Sequence, residues 1–292
     1  MKIGVGYPQI EGGVDVGAVR AFAQGVEALG YDYLFVSDHV IGVELSEDND
    51  WNAGSAIPIF RDPFVFCAFM AAATKKIGFS TSVTVVPQRQ TVLMARQIAD
   101  LDELSGGRFR LGIGTGWCKP EYEAMGANFA ARGQILEEQI ELLRDLWTKP
   151  KVTRKTPYHT LNEVGLRPLP LQRPVPIWIG GADSRLPNVE KLLRRVSRMA
   201  DGWIPHLQPT DEGRAHVARF QDYCREYGRD PAKVGIEAFI SLSRENEDTW
   251  ADQLKVWRSF GSITHVGVNG LADNIMGIDA NLKILEDFRK VI

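Results

Sequence analysis

Only three cysteines occur in 292 residues, Cys67, Cys118 and Cys224, and no two of them stand close together. An odd and dispersed set argues against a disulfide framework, and without a CxxC pair there is no thiolate zinc signature; a reducing cytoplasm is the expected setting. The five histidines, at positions 39, 159, 206, 216 and 265, form neither HxH nor HExxH, so the common histidine metal motifs are missing too. No charge of one sign dominates: 34 Lys+Arg against 37 Asp+Glu leave a formal charge of −3, which argues against a strongly basic nucleic-acid binder. Long hydrophobic runs are absent. The most apolar stretch, Phe64 to Ala73, is too short to span a bilayer, and the amino terminus, MKIGVGYP, has no secretory pattern. The expectation is a soluble cytoplasmic protein with neither a nucleic-acid nor a membrane partner.

What is present suits a large core: 44% of residues are hydrophobic and 24% charged. Short β-branched runs alternate with stretches of helical spacing along the whole chain, the pattern of repeated βα units. The strands expected are Ile3–Tyr7, Tyr33–Val36, Ile77–Val86, Phe109–Ile113, Pro176–Ile179, Trp203–Pro205, Gly235–Ile240 and Ile263–Val268. The first helix has Asp15 as its N-cap, Val19, Phe22, Val26 and Leu29 on one face, and Gly30 past its end. Later helices are expected at Thr91–Leu104, Arg132–Trp147, Leu186–Met199, Glu212–Tyr227, Asp248–Phe260 and Ala272–Lys290. Eight strands, each followed by a helix, point to a (β/α)8 TIM barrel as one domain over residues 1–292, with an insertion at about 149–176 that breaks the repeat. A doubly wound open sheet competes, but no linker divides the chain into halves.

In such a barrel the functional residues follow the strands. Ser37-Asp38-His39 after the second strand puts a carboxylate and an imidazole side by side, either for proton transfer and ligand binding or as a structural cap. In RFRLGIGTGW, Gly112, Gly114 and Gly116 lead to Trp117, which stands where a dinucleotide fingerprint needs its third glycine, so the Rossmann reading fails. The glycines admit a flat ligand to the backbone or serve packing inside a narrow barrel; Trp117 would wall the site. PIWIGGADSR offers a turn, Gly180-Gly181-Ala182, that suits a phosphate or a plain cap, and Gly202, Trp203 and His206 could complete that pocket. Ser82, Thr84, Gln88 and Arg89 bring polarity to the third strand's end. No nucleophile elbow is found.

These ordered motifs, from LGYDYLFVSDHV through TSVTVVPQRQTVLMARQIADLDELSGGRFRLGIGTGW and EYEAMG to RGQILEEQIELLRDLW, PLPLQRPVPIWIGG and ADGW, resemble the luciferase-like flavin and deazaflavin oxidoreductases. Within that family the chain resembles the branch that uses coenzyme F420. The resemblance implies a tricyclic cofactor in the barrel mouth, with Asp38 and His39 as the branch's Asp-His pair and His39 as proton donor or charge stabiliser. It implies a bulge at Ser82-Val83 behind the ring, often with a non-prolyl cis peptide, and a phosphate turn at Gly180-Gly181 with Gly202, Trp203 and His206 nearby. Trp117 departs from the glutamate that some sugar-phosphate dehydrogenases of the family carry there, and Glu121 and Tyr122 lie a turn further on. The implied activity is hydride transfer between F420 and a small organic substrate. An FMN-dependent monooxygenase, using O2 and a separate flavin reductase, is the alternative, followed by a non-enzymatic paralogue that binds the cofactor. Pairing of barrels into a homodimer is common in the family. Trp51, Phe60 and Trp117 are expected to shape an apolar pocket, and Arg61, Arg89 and Arg185 to meet an anionic cofactor tail.

Overall fold

The computed structural model describes residues 1–9, 15–43, 60–181, 189–269 and 277–292. The first βα unit shows why the repeat forms. After β1 (Lys2–Gly6), α1 (Val16–Ala28) starts where Asp15 Oδ1 accepts the Gly17 N–H at 2.8 Å. Val19, Phe22, Ala23 and Val26 make its buried stripe, and Gly30 leaves the helix at φ +76°, a conformation that glycine adopts without strain. β2 (Tyr33–Val36) is buried at every position. α2 (Pro63–Ala73) opens on Pro63, with the Asp62 carboxylate accepting the N–H groups of Phe64 and Val65.

The chain continues through β3 (Gly78–Thr81), β4 (Thr84–Val85), α3 (Thr91–Leu104), β5 (Phe109–Gly114), a short α4 (Lys119–Ala124) and α5 (Arg132–Thr148). A hairpin of β6 (Val152–Lys155) and β7 (Thr160–Val164) precedes β8 (Ile177–Gly180), α6 (Val189–Met199), β9 (Gly202–Ile204) and α7 (Asp211–Glu226). The last elements are β10 (Gly235–Ser241), α8 (Trp250–Ser259), β11 (His265–Asn269) and α9 (Ile278–Val291). β1 pairs with β2 and β11, β2 with β3, β3 and β4 with β5, and β5 onward through β8, β9 and β10 back to β11, all in parallel. Counting β3 and β4 as one interrupted stave, eight strands close a TIM barrel. The expected insertion at 149–176 carries the antiparallel β6–β7 hairpin as a separate sheet.

Three differences from the sequence reading have physical causes. The single strand expected over Ile77–Val86 is two pieces parted at Ser82-Val83, whose peptide is cis, and it turns into a 3-10 helix at Val86–Gln88. The hairpin in the insertion and the six-residue α4 were not expected, because elements so short carry too little periodicity. The expected helix starts at Leu186 and Ala272 lie outside the described residues.

The lumen is filled by rings set against glycines of neighbouring strands. A Cβ on Gly4 would lie 2.1 Å from the Tyr33 ring, one on Gly6 2.9 Å from Phe35, one on Gly267 2.7 Å from Phe239, and one on Gly202 2.1 Å from Trp178. Each ring therefore occupies the space that its neighbour's missing side chain leaves, which is how a narrow barrel reaches interior density with aromatic residues. At the amino-terminal end Arg110 Nη2 donates to Glu237 Oε2 at 2.6 Å, Glu237 Oε1 accepts the Tyr33 hydroxyl at 2.8 Å, and the Arg110 guanidinium lies 4.0 Å above the Trp178 ring. That plug closes the floor of the barrel.

Candidate active site at the barrel mouth

β2 delivers Ser37, Asp38 and His39 to the carboxyl end of the barrel, and side chains from other strands fix each of them. The Gln9 side-chain amide, just past β1, clasps the backbone of Ser37: its Oε1 accepts the Ser37 N–H at 2.5 Å and its Nε2 donates to the Ser37 carbonyl at 3.1 Å. Ser37 Oγ in turn donates to the Ser82 carbonyl at 3.2 Å, tying the β2 exit to the cis peptide. Gln9 was not among the expected site residues, since one glutamine after a strand carries no signal in sequence.

Asp38 is buried. Its Oδ1 accepts Arg89 Nη2 at 2.8 Å, and its Oδ2 accepts Arg89 Nε at 3.2 Å and the Val85 N–H at 3.0 Å. Arg89 also donates to Asp62 at 2.9 Å. Burial pushes the Asp38 carboxyl up, against the pull of Arg89, while Asp38 and Asp62 together hold the guanidinium charged. Through the Val85 N–H, Asp38 ties the β2 exit to the end of β4. Arg89, considered for an anionic tail, is already shared between two carboxylates.

His39 is held by a different carboxylate. Its Nδ1 lies 3.0 Å from Glu121 Oε2 in α4, and Glu121 Oε1 accepts the Val40 N–H at 2.8 Å and the Ile41 N–H at 3.5 Å. The Glu121 side chain is 1% exposed. Burial works to raise its carboxyl, but the hydrogen bond and charge of His39 and the two backbone N–H groups hold it below the usual carboxylate value. The His39 ring meets Phe60 at 5.0 Å and Trp117 at 5.7 Å between centroids. Trp117 is 51% exposed. Tyr122, beside Glu121, is fully buried and donates to the Thr115 carbonyl at 2.5 Å, so it serves the loop rather than the mouth.

The glycines divide by position. Val83 Cγ atoms would lie 2.8 Å from a Cβ on Gly114 and 2.6 Å from one on Gly180, and Gly112 would press a Cβ to 1.9 Å from the Thr81 carbonyl oxygen. Gly112 and Gly114 on β5 and Gly180 on β8 thus leave no room for a side chain, and the last two seat Val83 at the carboxyl end of the barrel. Gly116 has φ +67° and would meet Val85 at 2.5 Å, so it shapes the turn that presents Trp117.

The Gly180-Gly181 turn is built, but its first amide is spent: Gly181 N–H donates to the Ile204 carbonyl at 3.0 Å, and the Gly181 carbonyl accepts the Trp203 indole N–H at 2.9 Å. Trp203 is buried, with its ring 4.9 Å from Phe220 on α7, and so braces the turn from outside the barrel. Ala182 lies outside the described residues, as do Trp51 and Arg185. Gly202 requires a correction. It opens β9 at the amino-terminal end and lies beneath Trp178, so the structure does not bring it to the mouth. His206 follows β9 and stacks on Phe239 at 6.0 Å.

A cavity of about 340 Å³ lies at the opposite end, lined by Lys2, Tyr33, Arg110, Trp178 and His265 among others. Its inner charges are paired within the plug already described, and the carboxyl-terminal face remains the one that gathers exposed aromatic and titratable groups. Among the described residues no group of three or more His, Cys, Asp or Glu side chains could hold a metal ion, and no helix is long and apolar enough to cross a membrane.

The closed barrel, the interrupted third stave and the residues after β2 define a class. Residues 3–283 match the luciferase-like monooxygenase family, and the chain belongs to it. The chain is 31% identical over 216 residues to the uncharacterized protein Rv0940c of Mycobacterium tuberculosis (strain ATCC 25618 / H37Rv), covering 71% of each. Its fold is similar to that of the monooxygenase RslO1 from Streptomyces bottropensis, with TM-score 0.80, 16% identity, and 100% and 98% of the two chains covered. It is similar also to an F420-dependent secondary alcohol dehydrogenase in complex with an F420–acetone adduct, with TM-score 0.76, 18% identity, and 100% and 98% covered.

Proposed function

We propose that the chain is an oxidoreductase that moves a hydride between the deazaflavin F420 and a small organic substrate, with His39 as the proton donor or charge stabiliser. One observation carries the reading. His39 stands at the rim between Phe60 and Trp117 with one ring nitrogen engaged by Glu121, two residues from a serine that touches the Ser82-Val83 cis peptide. The residues present fit a flat heterocycle: Val83 offers an apolar floor, Trp117 an open wall, and His39 Nε2 a polar atom at the edge.

A bound deazaflavin supplies the hydride chemistry itself, since its ring carries carbon where a flavin has N5. The chain's own residues do the rest. Val83, Phe60 and Trp117 keep the reacting face apolar and orient the substrate, and His39 exchanges a proton with the substrate's polar atom or balances charge forming there. The phosphate-bearing end of such a cofactor would lie toward the Gly180-Gly181 turn. FMN-dependent monooxygenation is the second reading, favoured by the likeness to RslO1.

Paired titrations of the protein with F420 and with FMN at one salt concentration, read by fluorescence quenching, separate these readings. Tight F420 and weak FMN binding is the expected result; the reverse moves the assignment to the flavin monooxygenase, and failure of both leaves neither standing. His39→Ala is expected to keep cofactor affinity within a few-fold and to lower turnover by ~10²-fold or more. Unchanged turnover would remove His39 from the chemistry.

A further inference from the structure

We infer that Glu121 is the positioning residue that sets the tautomer of His39: its buried carboxylate accepts a hydrogen bond from the Nδ1–H of the ring and leaves Nε2 as the atom that exchanges a proton in the mouth. The functional consequence rests on the reading of His39 given above; the tautomer does not.

The two residues stand 82 positions apart, joined only because α4 follows directly on the β5 exit and turns Glu121 inward. Both Glu121 oxygens are occupied from the β2 side, one by the ring and one by the Val40 and Ile41 N–H groups. Those backbone donors require an acceptor, and the electrostatic surroundings keep the carboxyl ionised. An ionised carboxylate has no proton to give. The proton in the 3.0 Å contact therefore belongs to His39 Nδ1, and in the neutral ring Nε2 is a bare acceptor. Asp38, the nearer carboxylate in sequence, cannot take this role, because its oxygens face Arg89 and Val85. Among the described residues the other groups recorded against the ring are the uncharged Phe60 and Trp117, so Glu121 is the single charge set directly on it.

Such an arrangement differs from a plain structural tie in what it does to the ring. A tie would cost stability when cut but would leave the tautomer of His39 alone. A positioning carboxylate fixes which nitrogen bears the proton, so its loss changes the ring itself.

The test is nitrogen-detected NMR of the histidine rings in the cofactor-free protein, with His39 assigned by comparison with His39→Ala and titrated across the neutral range. Wild type is expected to show Nδ1 protonated and Nε2 bare. In Glu121→Gln, whose amide oxygen can still receive the Val40 N–H, the tautomer preference is expected to be lost. A wild-type ring protonated at Nε2, or a Glu121→Gln protein with an unchanged tautomer, overturns the inference. Should Glu121→Gln fail to fold, the wild-type tautomer alone decides. Because no cofactor is present, a failure of the F420 titrations would leave this result standing, and the two failures are distinguishable.

Discussion

Gly202 shows most directly what one missing side chain does in this barrel. Its hydrogen faces the Trp178 indole at a distance where any Cβ would collide at 2.1 Å, and the bicyclic ring has no flexible end that could move aside. Gly202→Ala is expected to cost about 1–3 kcal/mol as an overpacking change, read as a lowered urea midpoint with an unchanged slope. Cofactor affinity should stay within a few-fold, because the residue lies at the floor and not at the mouth; a large loss of affinity at unchanged stability would refute that placement. At this scale the sequence was legible in part. His39 after β2 and Trp117 after the glycine run reach the rim together, because residues following parallel strands share one end of the barrel. What held each of them was not legible, since Gln9 on Ser37, Arg89 on Asp38 and Glu121 on His39 are contacts across strands, and no local pattern encodes them.

Elements in this fold depend on carboxylates that cap backbone turns as much as on their apolar stripes. Glu27, near the end of α1, reaches the link between α2 and β3, where Oε1 accepts the N–H groups of Lys75, Lys76 and Ile77 at 2.9, 2.6 and 3.0 Å. Burial opposes its ionisation, but the three donors win and hold the carboxyl below its usual value. A carboxyl depressed in the folded state adds stability above its unfolded pKa and loses it as the pH falls through the folded one. Glu27→Gln is accordingly expected to cost about 1–2 kcal/mol at pH 7 and less at pH 3, measured as urea midpoints at both values. An equal loss at both would mean that the charge contributes nothing. Long periodic helices were located closely: α3 runs over the expected residues, Asp15 caps α1, and α5 ends one residue past the expected Trp147. The β3–β4 break falls at Ser82-Val83, where the family resemblance implied a bulge with a non-prolyl cis peptide; the residue pattern alone reads as a continuous strand, because the interruption follows from how Val83 seats over glycines of β5 and β8.

For the barrel as a whole, the histidine buried in the floor ties acid stability to that end. His265, at the start of β11, lies 4.7 Å from the Trp178 ring and 5.6 Å from the Tyr33 ring, beside the Arg110–Glu237 pair that plugs the lumen. Burial first, and then the charges of Arg110, Lys2 and the amino terminus, push its pKa down to about 3 from an ordinary 6.5. Between those values the unfolded chain binds a proton that the folded chain refuses, so stability rises with pH through that window and is lost as the pH drops from about 6.5 toward about 3. His265→Gln removes the titrating ring from the plug. The substitution should lower stability at pH 7 by loss of ring packing, yet lose less than wild type on going from pH 7 to pH 5, in chemical denaturation followed by tryptophan fluorescence. The slope against pH, rather than the absolute midpoint, is the quantity that decides. A parallel fall in both proteins would show that His265 takes up its proton without opening the plug. The steeper wild-type fall would place the acid-labile point of the barrel at the end opposite His39, where protonation unseats the Arg110–Glu237–Tyr33 network before it reaches the mouth.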